Sequence, residues 1–253
     1  MKKTNNIWYG IWFVIGTSLF ISGCPFKSGV EGKPWFRYAS KYDQARSKTI
    51  ANDIAGKKSA LQDLTEMETI KQKFLRAKQA TETKMISVLK SPNRRFQRVG
   101  LVAMSLKPIE TDRLFEIVFR FLQDHDREFR WYAVSSIENF TILPESKKAD
   151  LGKQLLEIIK NRDVNELSIE EFLLLAKFPS KEAALFLTEQ LMKEGKGNHM
   201  RIFRFAAFIA LKKMGNSFYD EAAEYVNNHG SPEIKKEFLE LEKAWIGYKS
   251  TKE

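Results

Sequence analysis

The strongest constraint on this chain is a helix that recurs. Lining up QRVGLVAM, RWYAVSSI, SIEEFLLL and RFAAFIAL puts Gly100, Ala133, Glu171 and Ala207 in one column, at steps of 33, 38 and 36 residues. Three of these four residues are small. An apolar pair follows nearby, as Ala103-Met104, Leu174-Leu175 and Ala210-Leu211, with Ser136-Ile137 a half match. A breaker closes each unit, in turn Pro108, Pro144, Pro179 and Gly215, and a second amphipathic helix follows. Windows such as TDRLFEIVFRFLQ and KEAALFLTEQLMKE carry apolar residues at three- and four-residue steps, which is the helical period. No window alternates for long enough to suggest a strand, and no strand-helix-strand rhythm appears. Helix pairs repeated at this period bury their apolar faces against neighbouring pairs, and small residues in a shared column let the first helices approach closely. The expected fold is all-α, an α-solenoid of antiparallel helix pairs.

The pattern, with its proline at the turn between helices, resembles the HEAT-like repeats of bacterial proteins over residues 91 to 230. Glu171 departs from the small column and puts the register of the third unit in question. Tetratricopeptide repeats keep a nearly fixed 34-residue period and a Trp-Leu-Gly-Tyr pattern, and neither occurs here. The HEAT-like resemblance implies that the second helices line a concave surface. The candidates it points to are Arg113, Glu116 and Arg120, then Glu182 and Glu189, then Glu221 and Glu224. Their mixed charge suggests a polar protein or peptide partner. Ser91-Pro92, Ser180 and Ser231-Pro232 put a capping hydroxyl ahead of a helix, twice with proline at its first position. Residues 41–90 read as less regular N-terminal helices. Residues 231–253 read as a closing helix, with Ile234, Phe238, Leu241 and Trp245 on one face.

The first 23 residues, MKKTNNIWYGIWFVIGTSLFISG, join a positive start to an apolar run from about Ile7 to Ile21 and end on small residues. That is the form of a secretory signal. A membrane-spanning helix needs roughly 20 apolar residues, and this run is shorter and contains Gly10, Gly16, Thr17 and Ser18. The only cysteine, Cys24, follows at once. The tetrad Ile21-Ser22-Gly23-Cys24 resembles the lipobox of bacterial lipoproteins. The resemblance implies cleavage before Cys24 and acyl chains (palmitate or similar) on that residue. Pro25 stands where an aspartate would favour inner-membrane retention, so the expected place is the outer membrane, facing the periplasm or the cell surface. Residues 24–40 read as a flexible tether rich in Gly, Pro and basic residues. Its Trp35, Phe36 and Tyr38 suit either a membrane-interface belt or a flap packed on the first helices.

Charge is uneven. From Cys24 to Ile109, 18 Lys and Arg face 7 Asp and Glu, a net of +11; from Glu110 onward the net is −3. The basic half lies next to the anchor and suits anionic headgroups. Nucleic acid would draw the same charge, but it is not expected as a partner of an exported protein. SPNRRFQR is the densest basic cluster, and Arg94, Arg95 and Arg98 are its candidate binding residues, with the solvent side of a repeat as the plainer reading. GKKS at Gly56 lacks the first glycine and the strand of a phosphate loop. Ser168 followed by Glu171 reads as a capping box. His125, His199 and His229 fall at separate turns without metal-ligand spacing. No cofactor, metal site or catalytic residue is expected. The sequence suggests a membrane-anchored, non-catalytic protein-interaction scaffold of the bacterial envelope. Its alternatives are a lipid- or glycan-binding module and an accessory factor of an enzyme.

Overall fold

The structure is a computed structural model that describes residues 29–54, 60–141, 145–163, 166–195 and 198–250. Cys24, the signal-like segment, the Gly56 stretch and Pro144 lie outside these residues. The chain is all-α, with no strand among the described residues. Its helices are α1 (Pro34–Ile54), α2 (Ala60–Arg76), α3 (Glu82–Leu89), α4 (Arg94–Leu106), α5 (Asp112–Arg120), α6 (Arg127–Asn139), α7 (Glu145–Lys160), α8 (Ile169–Leu175), α9 (Lys181–Met192), α10 (Asn198–Met214), α11 (Asn216–His229) and α12 (Pro232–Ser250). A 3-10 turn, Phe121–Gln123, extends α5. Among the described residues, no helix is long and apolar enough to cross a membrane.

Short polar residues start the helices. Thr111 accepts a bond from the Leu114 N–H, Asp126 from Glu128, and Ser180 from Ala183, each filling an orphan donor of a first turn. At α4 the cap is Asn93 rather than Ser91. The Ser91 hydroxyl accepts from the Asn93 N–H, so the chain turns once more and the helix begins at Arg94 instead of Pro92. Gly215 separates α10 from α11 as a single residue at φ 121°, a backbone region open in practice only to glycine.

Contacts run in two rows. In one, α1 meets α4, α4 meets α6, α6 meets α8 and α8 meets α10. In the other, α3 meets α5, the 3-10 turn after α5 meets α7, α7 meets α9 and α9 meets α11, with α12 against α11 and α9. Adjacent helices join the rows, and one apolar core extends from Val30 to Phe238. Of the tether expected over 24–40, the part from Pro34 onward is helical and packed, and residues 24–28 lie outside the described residues. Pro34 opens α1, and Trp35 and Phe36 are buried, the Phe36 ring edge-on to Phe96 at 5.4 Å. Of the two readings of these aromatics, packing is the one observed. Burying two large rings offsets the ordering of the segment, at roughly 1.5–3 kcal/mol per large apolar side chain.

The repeat column has a different partner from the expected one at its first position. A Cβ on Gly100 would lie 2.9 Å from both Leu89 and Val88, so this glycine admits α3 and not a neighbouring first helix. Ala133 and Ala207 are fully buried. Three positions earlier, in α4, α6 and α10, stands a long polar donor that the alignment places in one column. Gln97 donates to the Ser91 carbonyl at 2.9 Å, Arg130 to those of Asp124 and His125 at 2.9 and 3.1 Å, and Arg204 to those of Lys193 and Gly195 at 2.8 and 3.3 Å. Each ties its helix to the turn before it. In the third unit the roles are exchanged. The column holds Ser168, the helix supplies the carboxylate of Glu171, and the turn supplies Arg162, which donates to Glu171 and to the Leu122 carbonyl. Glu171 therefore breaks the small column because it carries the bond that the other units make with a donor.

Candidate functional site

The helix α5 reads DRLFEIVFR, and its five apolar residues are all buried. That leaves Asp112, Arg113, Glu116 and Arg120 on the outer side. Because α7 is met through the 3-10 turn, a groove of about 310 Å³ remains between α5 and α7. Phe115, Phe119 and Leu151 form its apolar part, with Glu116, Arg120 and Asp150 among the charged groups around them. Lys147 of α7 reaches across, 2.8 Å from Glu116 and 3.7 Å from Asp112. The Lys147 hydrogen bond and charge hold the Glu116 carboxyl below its ordinary range, and the same pairing raises Lys147. Gln154 also lines a second, wider trough of about 750 Å³ that continues along α7 past Glu157 to Arg162 and Glu166. Alternating charge over an apolar floor can hold an extended polar segment, with the floor burying alternate apolar side chains.

The six candidate binding residues divide. Glu116 and Arg120 line the α5/α7 groove, and Arg113 is exposed on the same helix outside it. Glu182, Glu189, Glu221 and Glu224 are exposed on α9 and α11. The basic cluster is mostly committed within the fold. Arg94 forks onto Asp124 at 2.7 and 2.8 Å, and its guanidinium lies 3.6 Å above the Phe129 ring. Arg98 pairs with Asp43 at 2.7 Å and with Glu128, and it donates to Ser47. Arg95 is exposed and, among the described residues, has no such pair. Paired arginines fit carboxylates through their planar fork, but the carboxylates in question lie 30 and 55 residues away, beyond any local pattern.

A network that the sequence did not signal sits beside Arg98. The fully buried Tyr132 donates its hydroxyl to Asp43 at 2.7 Å, and Arg46 lies 3.7 Å over the Trp131 ring. Burial, then the Asp43 charge, pushes the Tyr132 phenol well above its ordinary value. The polar stripe Asp43, Arg46 and Ser47 on α1 was the one available hint, at three- and four-residue spacing. The Ser168–Glu171 capping box forms in both directions. Glu171 is also a charge hub, because Arg162 and Arg130 both face its buried carboxylate. Of the histidines, His125 is exposed in the turn before α6, and His229 ends α11 with its ring 4.6 Å from that of Tyr225. The side chain of His199 lies outside the described residues.

Compared with protein-family models, curated proteins and solved structures, the chain matches none of them.

Proposed function

We propose that this protein is a non-catalytic interaction scaffold, held at a bacterial envelope membrane, the outer one, by acyl chains on Cys24. Its helix pairs act as a HEAT-like solenoid whose second-helix side receives an extended polar segment of a partner protein. The observation that carries the reading is the groove between α5 and α7, with Phe115 and Phe119 beneath a rim of Glu116, Arg120 and Lys147 and the trough along α7 as its continuation. A mixed rim of this kind selects orientation and partner more than it adds affinity. The basic half supports a headgroup-binding module less well. Arg94, Arg98 and Lys48 are engaged by Asp124, Asp43 and Asp63, the last at 3.0 Å.

The test places a photo-crosslinking amino acid at Arg113, Arg120 or Gln154 of the full chain in intact cells, with exposed Lys236 as control. The expected result is one discrete adduct from Arg120 and Gln154 in the groove and from Arg113 beside it, absent at Lys236 and lost when Glu116→Lys and Lys147→Glu are combined with the probe at Arg120. Adducts of equal yield and size at all four positions would overturn the scaffold surface.

A further inference from the structure

At the far end of the fold from α1, a second groove has a different chemistry. It has a volume of about 480 Å³, and α8, α10 and α12 line it. Ile169 and Leu173 come from α8, Phe205 and Ile209 from α10, and Leu241 and Trp245 from α12. The rest of the described residues leave the wall open, since Phe205 is 47% exposed and Ile202, one turn earlier on α10, is 44% exposed. Neither side chain is needed to complete the core, which already holds Phe203, Ala206, Ala207 and Phe208 of the same helix. Among the described residues, Lys213 is the one charged residue that lines the groove. Its neighbour Lys212 lies over the Tyr219 ring at 3.0 Å, whereas Lys213 has no salt bridge among the described residues and acts on Glu138 only through space.

We infer that this groove binds a single long acyl chain ending in a carboxylate, with the chain between α10 and α12 and the carboxylate on Lys213. Apolar sites for small ligands fall within about 300–1,000 Å³ and carry few polar groups, placed to fix orientation. One cation beside a continuous apolar wall is complementary to one anion at the end of one apolar chain. A partner helix fits less well. A helix is about 10–12 Å across with its side chains, so 480 Å³ would take up only about one turn of it. A flexible chain is thinner and fills such a slot along its length. The inference is independent of the scaffold reading, which concerns α5 and α7.

The experiment uses palmitic acid carrying a mid-chain diazirine and a terminal alkyne, added to membranes that contain the full chain, followed by irradiation and peptide mapping. Modification is expected to concentrate on α10 and α12, between 202 and 213 and between 239 and 246. Unlabelled palmitate should compete, and hexadecanol, which has the same chain and no charge, should compete about five-fold less well, the scale of one exposed ion pair. Lys213→Glu should lower the labelling about five-fold and Lys213→Arg should retain it. Phe205→Glu, a change at a half-exposed wall residue, should abolish groove labelling while the helical circular dichroism and its melting curve stay unchanged. Labelling spread evenly to Leu64, Leu185 and Tyr225, which are also exposed, would overturn the site. Equal competition by hexadecanol, or crosslinks between two copies through this groove in place of lipid adducts, would overturn the assignment of its occupant.

Discussion

Replacing Glu171 isolates the charge hub at the start of α8. Its carboxylate is 2% exposed, accepts the Ser168 N–H at 2.9 Å, pairs with Arg162 and lies 3.8 Å from the Nε of Arg130. Both arginines also serve backbone carbonyls, of Leu122, Asp124, His125 and Glu166, so neither can leave without unmaking a turn. Burial, then the charge of Arg162, depresses Arg130, and both cations face the Glu171 carboxylate. Glu171→Gln retains the shape and a glutamine at the third position, which still closes a capping box. What it removes is the charge, leaving the Arg130 and Arg162 guanidiniums without the carboxylate they share. Breaking a buried pair from one side costs about 3–5 kcal/mol. The partial exposure to water at the Arg162 turn favours the lower figure, about 3 kcal/mol. At about 2–4 °C per kcal/mol for a chain of this size, the melting temperature should fall by about 6–12 °C. Glu171→Ala should lose about 1 kcal/mol more, the worth of the cap. Ser168→Ala, which keeps the charge, should cost only that last amount. Urea titrations of the three variants separate these contributions through their midpoints at constant slope. A Glu171→Gln protein within 1 kcal/mol of the parent, or one no worse than Ser168→Ala, would refute the claim that the carboxylate's charge holds the two turns together.

Gly215→Ala should destabilise by about 1–3 kcal/mol through backbone strain alone, since nothing lies within 4 Å of the position a Cβ would take; an unchanged thermal midpoint would refute this. Burial pushes the Asp124 carboxyl up, but the Arg94 hydrogen bond and the Asp126 N–H outweigh it and hold the group below its ordinary range. A carboxyl lowered on folding stabilises above its unfolded value and loses that contribution as pH falls through the folded one. The stability gap between the parent and Asp124→Asn should therefore be level near neutrality and shrink below about pH 4, as read by denaturant titration; a gap of the same size at about pH 2.5 would contradict it. Cys24→Ser should abolish incorporation of a metabolic fatty-acid probe, and equal labelling of the two proteins would remove the lipid anchor.

Most of what depends on neighbours within four residues was legible in the sequence, the shift of the α4 cap from Ser91 to Asn93 being the exception. The apolar rows of α5 and α9, the caps at Ser168 and Ser180, and the breaks at Pro108, Pro179 and Gly215 each place a helix or end one, and the all-α class follows from them. The outer residues of α5 were legible for the same reason, because a buried stripe on a short helix dictates which residues remain outside. Tertiary structure decided what those elements meet. Arg94 and Arg98 look like a free basic cluster until the fold brings Asp124 and Asp43 to them, and Tyr132 acquires its partner from 89 residues away. The same holds for Gly100, whose missing side chain makes room for α3, and for Trp35 and Phe36, whose segment reads as a tether until α4 covers it. Both grooves belong to this second class, since each is a gap between helices and no single helix encodes a gap. Local pattern fixes the direction each side chain takes from its own helix, whereas charge neutralisation and cavity shape depend on which distant surface arrives opposite it.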